Sequence, residues 1–210
     1  MSMTNKKLIP LFITLLIISF FALSPFLPGP SFLSEPAKFF YSAALLLSMF
    51  GILILPVGLW LTVGEIRRKA ANKNYSFRLT PLFLFAIPLT LIICIFLSYP
   101  LRNISRSIAI KRASKIIEAI EAYRNERNEY PKNLNNLQPK YLKVIPSSFI
   151  IGIPNYQYQY FDSSYSLTFE QEVLFDLNYE VVTYYPFHEN QADGETLETG
   201  FKHWSYYIFD

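Results

Sequence analysis

The chain has 210 residues, 51% of them hydrophobic, a formal net charge of +3 and a single cysteine. That apolar share is too high and too unevenly placed for an ordinary soluble domain, and one cysteine excludes an intrachain disulfide or a cysteine metal site. The positive charge flanks apolar segments instead of forming one basic face, which argues against nucleic acid as a partner.

Charged residues are absent from Leu8 to Ser34, from Phe39 to Gly64 and from Leu79 to Leu101. A bilayer core about 30 Å thick takes around 20 apolar residues, so each stretch is long enough to span it. The expected spans are residues 8–27, 40–63 and 81–99, forming a membrane domain over 1–100. Pro10, Pro25, Pro56 and Pro88 fall inside them and are tolerated in lipid, where neighbouring helices satisfy the freed carbonyls. Ser48, Gly51 and Gly58 offer close helix contacts. No span carries Asp, Glu, Lys, Arg or His, the usual mark of an ion or proton pathway, so an anchor or small packing bundle is favoured over a transporter.

Arg67, Arg68, Lys69, Lys73 and Arg78 crowd the connection between the second and third spans, and Lys6 and Lys7 precede the first. Basic residues in short loops stay in the cytoplasm, which sends the C-terminal half outward as a periplasmic or extracellular domain. Arg102, Arg106, Lys111 and Arg112, just beyond the third span, weigh against this orientation. The first segment also has the parts of a signal peptide, with Ala22 and Ser24 as small residues, although Pro25 opposes cleavage.

After Pro100, the apolar positions Ala109, Ala113, Ile116, Ile117, Ile120 and Tyr123 recur at helical spacing, with Lys111, Lys115, Glu118, Glu121 and Arg124 opposite. Pro131 stops this helix near Glu129. A shorter helix is expected over Asn133 to Leu142, with Leu134, Leu137, Tyr141 and Leu142 inward. The period then becomes two: strands are expected over Tyr156–Tyr160, Tyr165–Phe169, Tyr179–Tyr185 and Trp204–Phe209, with a turn at Asp162, Ser163 and Ser164. Half of the tyrosines from Tyr156 to Tyr185 should pack on the helix and the rest could form a recognition surface. The fold class is thus a membrane protein with three transmembrane α-helices followed by an α+β domain over 101–210, a long N-terminal helix packed on a small antiparallel sheet.

The run Ile116-Ile117-Glu118-Ala119-Ile120-Glu121-Ala122-Tyr123-Arg124, followed by Asn128-Glu129-Tyr130-Pro131, Leu134, Leu137, Tyr141-Leu142 and Ile145-Pro146, resembles type IV pilin-like proteins. It is most similar to the major pseudopilins of type II secretion, over about residues 89–169. The motif positions are Tyr123, Tyr130, Pro131, Leu134, Leu137 and Tyr141. The resemblance implies a pilin-like domain at a bacterial inner membrane, with envelope or secretion-type proteins as partners beside the lipid bilayer. The family's processing site, a leader glycine with a glutamate five residues into the mature helix, has no counterpart ahead of Pro81. The expectation is therefore a fold and a contact surface, not a filament subunit.

His188 and His203 lack helical metal-ligand spacing. Glu189, Asp193 and Glu195 offer hard oxygen ligands around Gly194 and are the candidate calcium ligands, a reading that the resemblance to calcium-binding pseudopilins strengthens. No other cofactor is indicated, and no Gly-x-Ser-x-Gly, phosphate-loop or zinc-protease pattern points to an enzyme. The expected role is protein interaction or scaffolding at the cell envelope, without catalysis. A membrane-anchored sensor or ligand/calcium-binding domain is the alternative.

Overall fold

The computed structural model describes residues 3–72, 74–174, 177–187 and 196–209. Three helices, α1 (Met3–Leu23), α2 (Ser34–Ala71) and α3 (Thr80–Arg127), precede an antiparallel sheet of β1 (Gln157–Phe161), β2 (Ser164–Leu174), β3 (Asn178–Tyr184), β4 (Leu197–Glu198) and β5 (Trp204–Phe209). The chain divides into two compact units, residues 1–24 with 39–100 and residues 25–38 with 101–210.

The first unit is helical, and all three helices are long and apolar enough to cross a membrane. Phe12, Leu16, Leu53, Trp60 and Phe96 are each more than 60% exposed. Apolar side chains displayed on all sides suit hydrocarbon as solvent and would be an aggregation hazard in water. Helix association in lipid depends on close packing instead of apolar burial, and the helix contacts follow that rule. A Cβ on Gly58 would meet the Leu84 carbonyl oxygen at 2.8 Å, and one on Gly51 would meet Pro88 at 3.0 Å. Thr62 Oγ1 donates to the Pro81 carbonyl at 2.9 Å, and Tyr41 Oη to Ser98 Oγ at 3.3 Å. The pairs 41–98, 51–88, 58–84 and 62–81 run in opposite directions along the two chains, so α2 and α3 are antiparallel and in contact over most of their apolar length.

The connection between α2 and α3 is fastened by Glu65, which is 3% exposed. Its carboxylate accepts from Arg68 Nη1 at 3.0 Å, from Tyr75 Oη at 3.0 Å and from the Arg78 backbone N–H at 3.2 Å. Lys69 Nζ also donates to the Tyr75 carbonyl at 2.8 Å, so side chains of α2 hold the described part of the connection at several points. Pro56 and Pro88 lie within continuous helices, whereas α1 ends at Leu23 and Pro25 sits in a following 3-10 turn, so the first helix is shorter at its C-terminal end than the apolar stretch suggests.

The second unit is built on the C-terminal half of α3. Ala109, Ala113, Ile116, Ile120 and Tyr123 form its buried stripe, and the first four are no more than 3% exposed. Asn128 ends the helix at φ 58°, its N–H bonded to the Arg124 carbonyl, a left-handed cap that asparagine tolerates. The sheet has the order β1-β2-β3-β5-β4 with every neighbour antiparallel. Phe161 pairs with Ser164, leaving the two-residue turn Asp162-Ser163. Tyr165, Leu167 and Phe169 of β2, Val182 of β3 and Trp204 of β5 line the face toward the helix. Fully burying side chains of this size contributes about 1.5–3 kcal/mol each.

The segment after Pro131 corrects the expected helix over Asn133 to Leu142. Only Leu134–Leu137 is helical, as a 3-10 turn capped by a reciprocal Asn133–Asn136 box. Pro139 disfavours helical geometry at the residue before it, and Gln138 is extended at φ −93°, ψ 147°. Leu137 is buried all the same, and Leu134, Tyr141 and Leu142 pack on the core.

Residues 25–38, the α1–α2 connection together with the first residues of α2, belong to this unit. Gly29 N–H donates to the Phe149 carbonyl at 2.9 Å, Ile151 N–H to Leu27 at 3.0 Å and Gly152 N–H to Pro25 at 2.8 Å. Such a clasp requires backbones to approach closely: a Cβ on Gly152 would lie 2.7 Å from the Pro25 carbonyl oxygen.

Candidate functional site

The buried stripe of α3 does not stop at Ala109. Three and four residues earlier it continues as Arg106 and Ser105, then Arg102, at 7%, 0% and 8% exposure. The strands opposite change character at the same level. Gln171 of β2 pairs with Glu180 of β3, and the two take the place on the inner face that the neighbouring pair gives to Phe169 and Val182.

These groups interlock. Arg106 Nη1 donates to Glu180 Oε1 at 2.9 Å, and Arg102 Nε lies 3.4 Å from Glu180 Oε2. Gln171 Nε2 donates to Glu180 Oε1 at 2.9 Å and to the Arg102 carbonyl at 3.2 Å, while Gln171 Oε1 accepts from Ser105 Oγ at 2.8 Å. Arg106 also stacks over the Tyr206 ring, 3.9 Å from its centroid. Beside the cluster, Lys38 Nζ lies 3.6 Å from Glu172 Oε1. Burial pushes the Glu180 carboxyl above the usual carboxylate range, while Arg106, Gln171 and Arg102 pull it back. A buried charge paired and hydrogen-bonded in this way fixes register and position, since any slip leaves it unpaired. The chemistry is that of a lock between helix and sheet.

The outer face of the sheet has different chemistry. A shallow groove of about 540 Å³ is lined by Gln157, Thr168, Glu170, Tyr179, Thr183 and Tyr207, among others. Thr168 and Thr183 hydroxyls are 3.2 Å apart across β2 and β3, and the Tyr179 ring stacks on Phe209 at 4.9 Å. The tyrosines divide between the two faces. Tyr156 and Tyr165 are buried, with hydroxyls on the Ala109 carbonyl (2.7 Å) and Glu121 (3.1 Å), and Tyr158 reaches the Pro131 carbonyl at 2.6 Å. Tyr179, Tyr185 and Tyr207 line the groove, which Tyr158 also borders. Rings beside hydroxyls and amides suit contact with a polypeptide surface.

A second cavity, of about 400 Å³, lies at the start of β5 between Tyr185, Glu198, Phe201, Lys202, His203 and Trp204. His203 has φ 65° there, its ring edge-on to Tyr184. No group of three His, Cys, Asp or Glu side chains that could hold a metal exists among the described residues. The calcium candidates Glu189, Asp193 and Glu195, with His188, lie outside the described residues.

The six motif positions gather at the other end of α3 from Arg102. Tyr123 packs on Tyr141 (5.5 Å between rings), Tyr130 on Tyr165 (5.0 Å), and Leu134 and Leu137 join the same core, with Pro131 holding the Tyr158 hydroxyl. Comparison with family models, with curated proteins and with solved structures finds no match.

Two parts of this arrangement escape sequence reading. Arg102 and Arg106 read as topology markers, and only their spacing of three and seven from Ala109 hints that they belong to the buried stripe. The pairing of 25–29 with 149–152 leaves no periodic signal; its one trace is a glycine on each side, Gly29 and Gly152.

Proposed function

We propose that the chain is an integral membrane protein of the bacterial inner membrane whose C-terminal α+β domain, pilin-like in plan, acts in protein interaction or scaffolding on the extracytoplasmic side, without catalysis. The observation that carries this reading is that the domain is tied to the apolar helices at more than one point. Its first helix continues an apolar stretch long enough to cross a bilayer, and the α1–α2 connection is hydrogen-bonded into it. A domain so held is positioned for meeting partners at a membrane surface.

The orientation rests on Arg67, Arg68, Lys69 and Arg78 flanking the α2–α3 turn, which the positive-inside rule keeps in the cytoplasm. Of the four residues opposing it, Arg102 and Arg106 face Glu180 in the folded domain, and Lys111 and Arg112 are exposed. The pilin-like plan is supported by a long helix whose apolar N-terminal half leads into an amphipathic half that carries an antiparallel sheet.

The outer-face groove is the proposed contact surface. A photo-crosslinking amino acid placed at Thr168 or Tyr207 in cells should yield a discrete adduct with an envelope protein, and one at Lys115, on the opposite side of α3, should not. Absence of adducts from every groove position, with the protein present in the membrane fraction, would contradict the role.

A further inference from the structure

The surface of α2 changes from apolar to charged over its last three turns before Arg68. Pro56, Trp60, Gly64 and Arg67 recur at intervals of four, four and three, with Leu59 and Val63 beside them, so they share one stripe of the helix. These residues line a groove of about 530 Å³, with Leu61, Glu65 and Arg68 at its side and Pro81 of α3 as its far wall. The bond from the Thr62 hydroxyl to the Pro81 carbonyl fixes that wall. From Pro56 to Arg67 the stripe is about 16 Å long at about 1.5 Å per residue, close to half of a hydrocarbon core about 30 Å thick. It is one leaflet deep.

The floor of the groove is bare at Gly64, where a Cβ would meet nothing within 4 Å. Its one acidic group, Glu65, is buried, and both carboxylate oxygens are taken by Arg68, Tyr75 and the Arg78 N–H. Arg67 is exposed and makes no ion pair among the described residues. Arg68 gives Nη1 to Glu65 and keeps its side chain 64% exposed. Two turns back along the stripe, Trp60 is 75% exposed, an amphipathic ring suited to the boundary between headgroups and acyl chains.

We infer that this groove binds one anionic phospholipid, whose phosphate meets Arg67 and Arg68 while an acyl chain lies along Gly64, Trp60 and Pro56. The occupant is a lipid and not a soluble anion because the cations stand at one end only. The remaining walls, Pro56, Leu59, Trp60, Leu61, Val63 and Pro81, are apolar and offer a hydrated ion nothing in exchange for its water. The headgroup is anionic because two guanidinium groups face one carboxylate that is already paired, which leaves the lining positive. This inference rests on the membrane-spanning reading of the helices and involves only α2 and the start of α3.

The test uses the full chain with Trp204→Phe, which leaves Trp60 as its single tryptophan. It is placed in phosphatidylcholine vesicles that carry a minor share of brominated phosphatidylglycerol or the same share of brominated phosphatidylcholine. The expected result is deeper quenching of Trp60 by the phosphatidylglycerol, equivalent to a local enrichment of roughly fivefold per arginine at low salt. Arg67→Gln should remove about one such factor, and Arg67→Gln combined with Arg68→Gln the whole preference. Gly64→Phe keeps both charges but fills the floor, and should abolish the preference with helical circular dichroism unchanged.

Equal quenching by the two lipids would make this ordinary bilayer contact and overturn the site, while the membrane reading stands. A preference that survives Gly64→Phe would belong to general surface charge, and one abolished by inorganic phosphate at constant ionic strength would belong to a soluble anion. Either result overturns the proposal. No quenching by either lipid would overturn the membrane reading and the site together.

Discussion

Arg106 Nη1 lies 2.9 Å from Glu180 Oε1, joining α3 to β3 across 74 residues of sequence. The carboxylate is 1% exposed and also meets Arg102 and Gln171, so removing it takes the carboxylate partner from two buried guanidinium groups. Breaking a buried pair by deleting one partner costs about 3–5 kcal/mol. Glu180→Ala should therefore destabilise the domain on that scale, read as a lower midpoint of Trp204 fluorescence on heating in detergent. Glu180→Gln, which keeps the shape and part of the hydrogen bonding, should cost less. Equal midpoints for Glu180→Ala and the parent would remove the lock from the account.

The clasp between 25–29 and 149–152 is a backbone contact, so it cannot yield to a new side chain. Gly152→Val should separate Gly152 from Pro25 and expose the connection. Protease added to the extracytoplasmic side should then cut within 25–38 faster than in the parent. Gly64→Val, where a Cβ meets nothing within 4 Å, is the matched control and should leave cleavage unchanged.

Inside the apolar unit, Gly58 has the Leu84 carbonyl oxygen 2.8 Å from where a Cβ would stand. Gly58→Leu should pry α2 from α3 there and abolish disulfide formation between cysteines placed at Thr62 and Pro81, which face one another in the parent. Undiminished crosslinking would show that the two helices do not rely on this approach.

The buried tyrosines give the domain an alkaline limit. Burial is the largest influence raising Tyr130, Tyr156, Tyr158, Tyr165 and Tyr184 above the ordinary phenol value of 10.0. A folded-state value above the unfolded one means that the unfolded chain releases its phenolic protons first. Stability is then complete below pH 10 and is lost as pH rises through the raised values. Absorbance at the tyrosinate band should show these five phenols ionising together above the ordinary value, in one step that coincides with loss of Trp204 signal. Ionisation of these five at the ordinary value with the Trp204 signal intact would contradict the packing.

Much of this fold is legible in the sequence because its signals are local and periodic. Ala109, Ala113, Ile116, Ile120 and Tyr123 announce a buried helical face, and Tyr156 to Phe169 alternate as strands paired over one core must. What is lost is lost for identifiable reasons. Leu197–Glu198 is too short to carry a period. Leu134 to Leu142 has helical spacing, but Pro139 breaks it at Gln138. Arg102, Arg106, Gln171 and Glu180 are polar residues on a buried face, and a hydrophobic pattern cannot register them because their burial depends on partners up to 78 positions away, as for Arg102 and Glu180.

The central claim is that the α1–α2 connection and the C-terminal domain share the outer face of the membrane while the α2–α3 turn faces the cytoplasm. Single cysteines at Phe32, Asn74 and Asp162, in a Cys94→Ser background, should be challenged in intact cells with a membrane-impermeant maleimide. The account predicts labelling of Phe32→Cys and Asp162→Cys at once, and of Asn74→Cys only after the cells are permeabilised. Labelling of Asn74→Cys with protection of the other two would place the domain in the cytoplasm. A split between Phe32→Cys and Asp162→Cys would contradict the clasp itself.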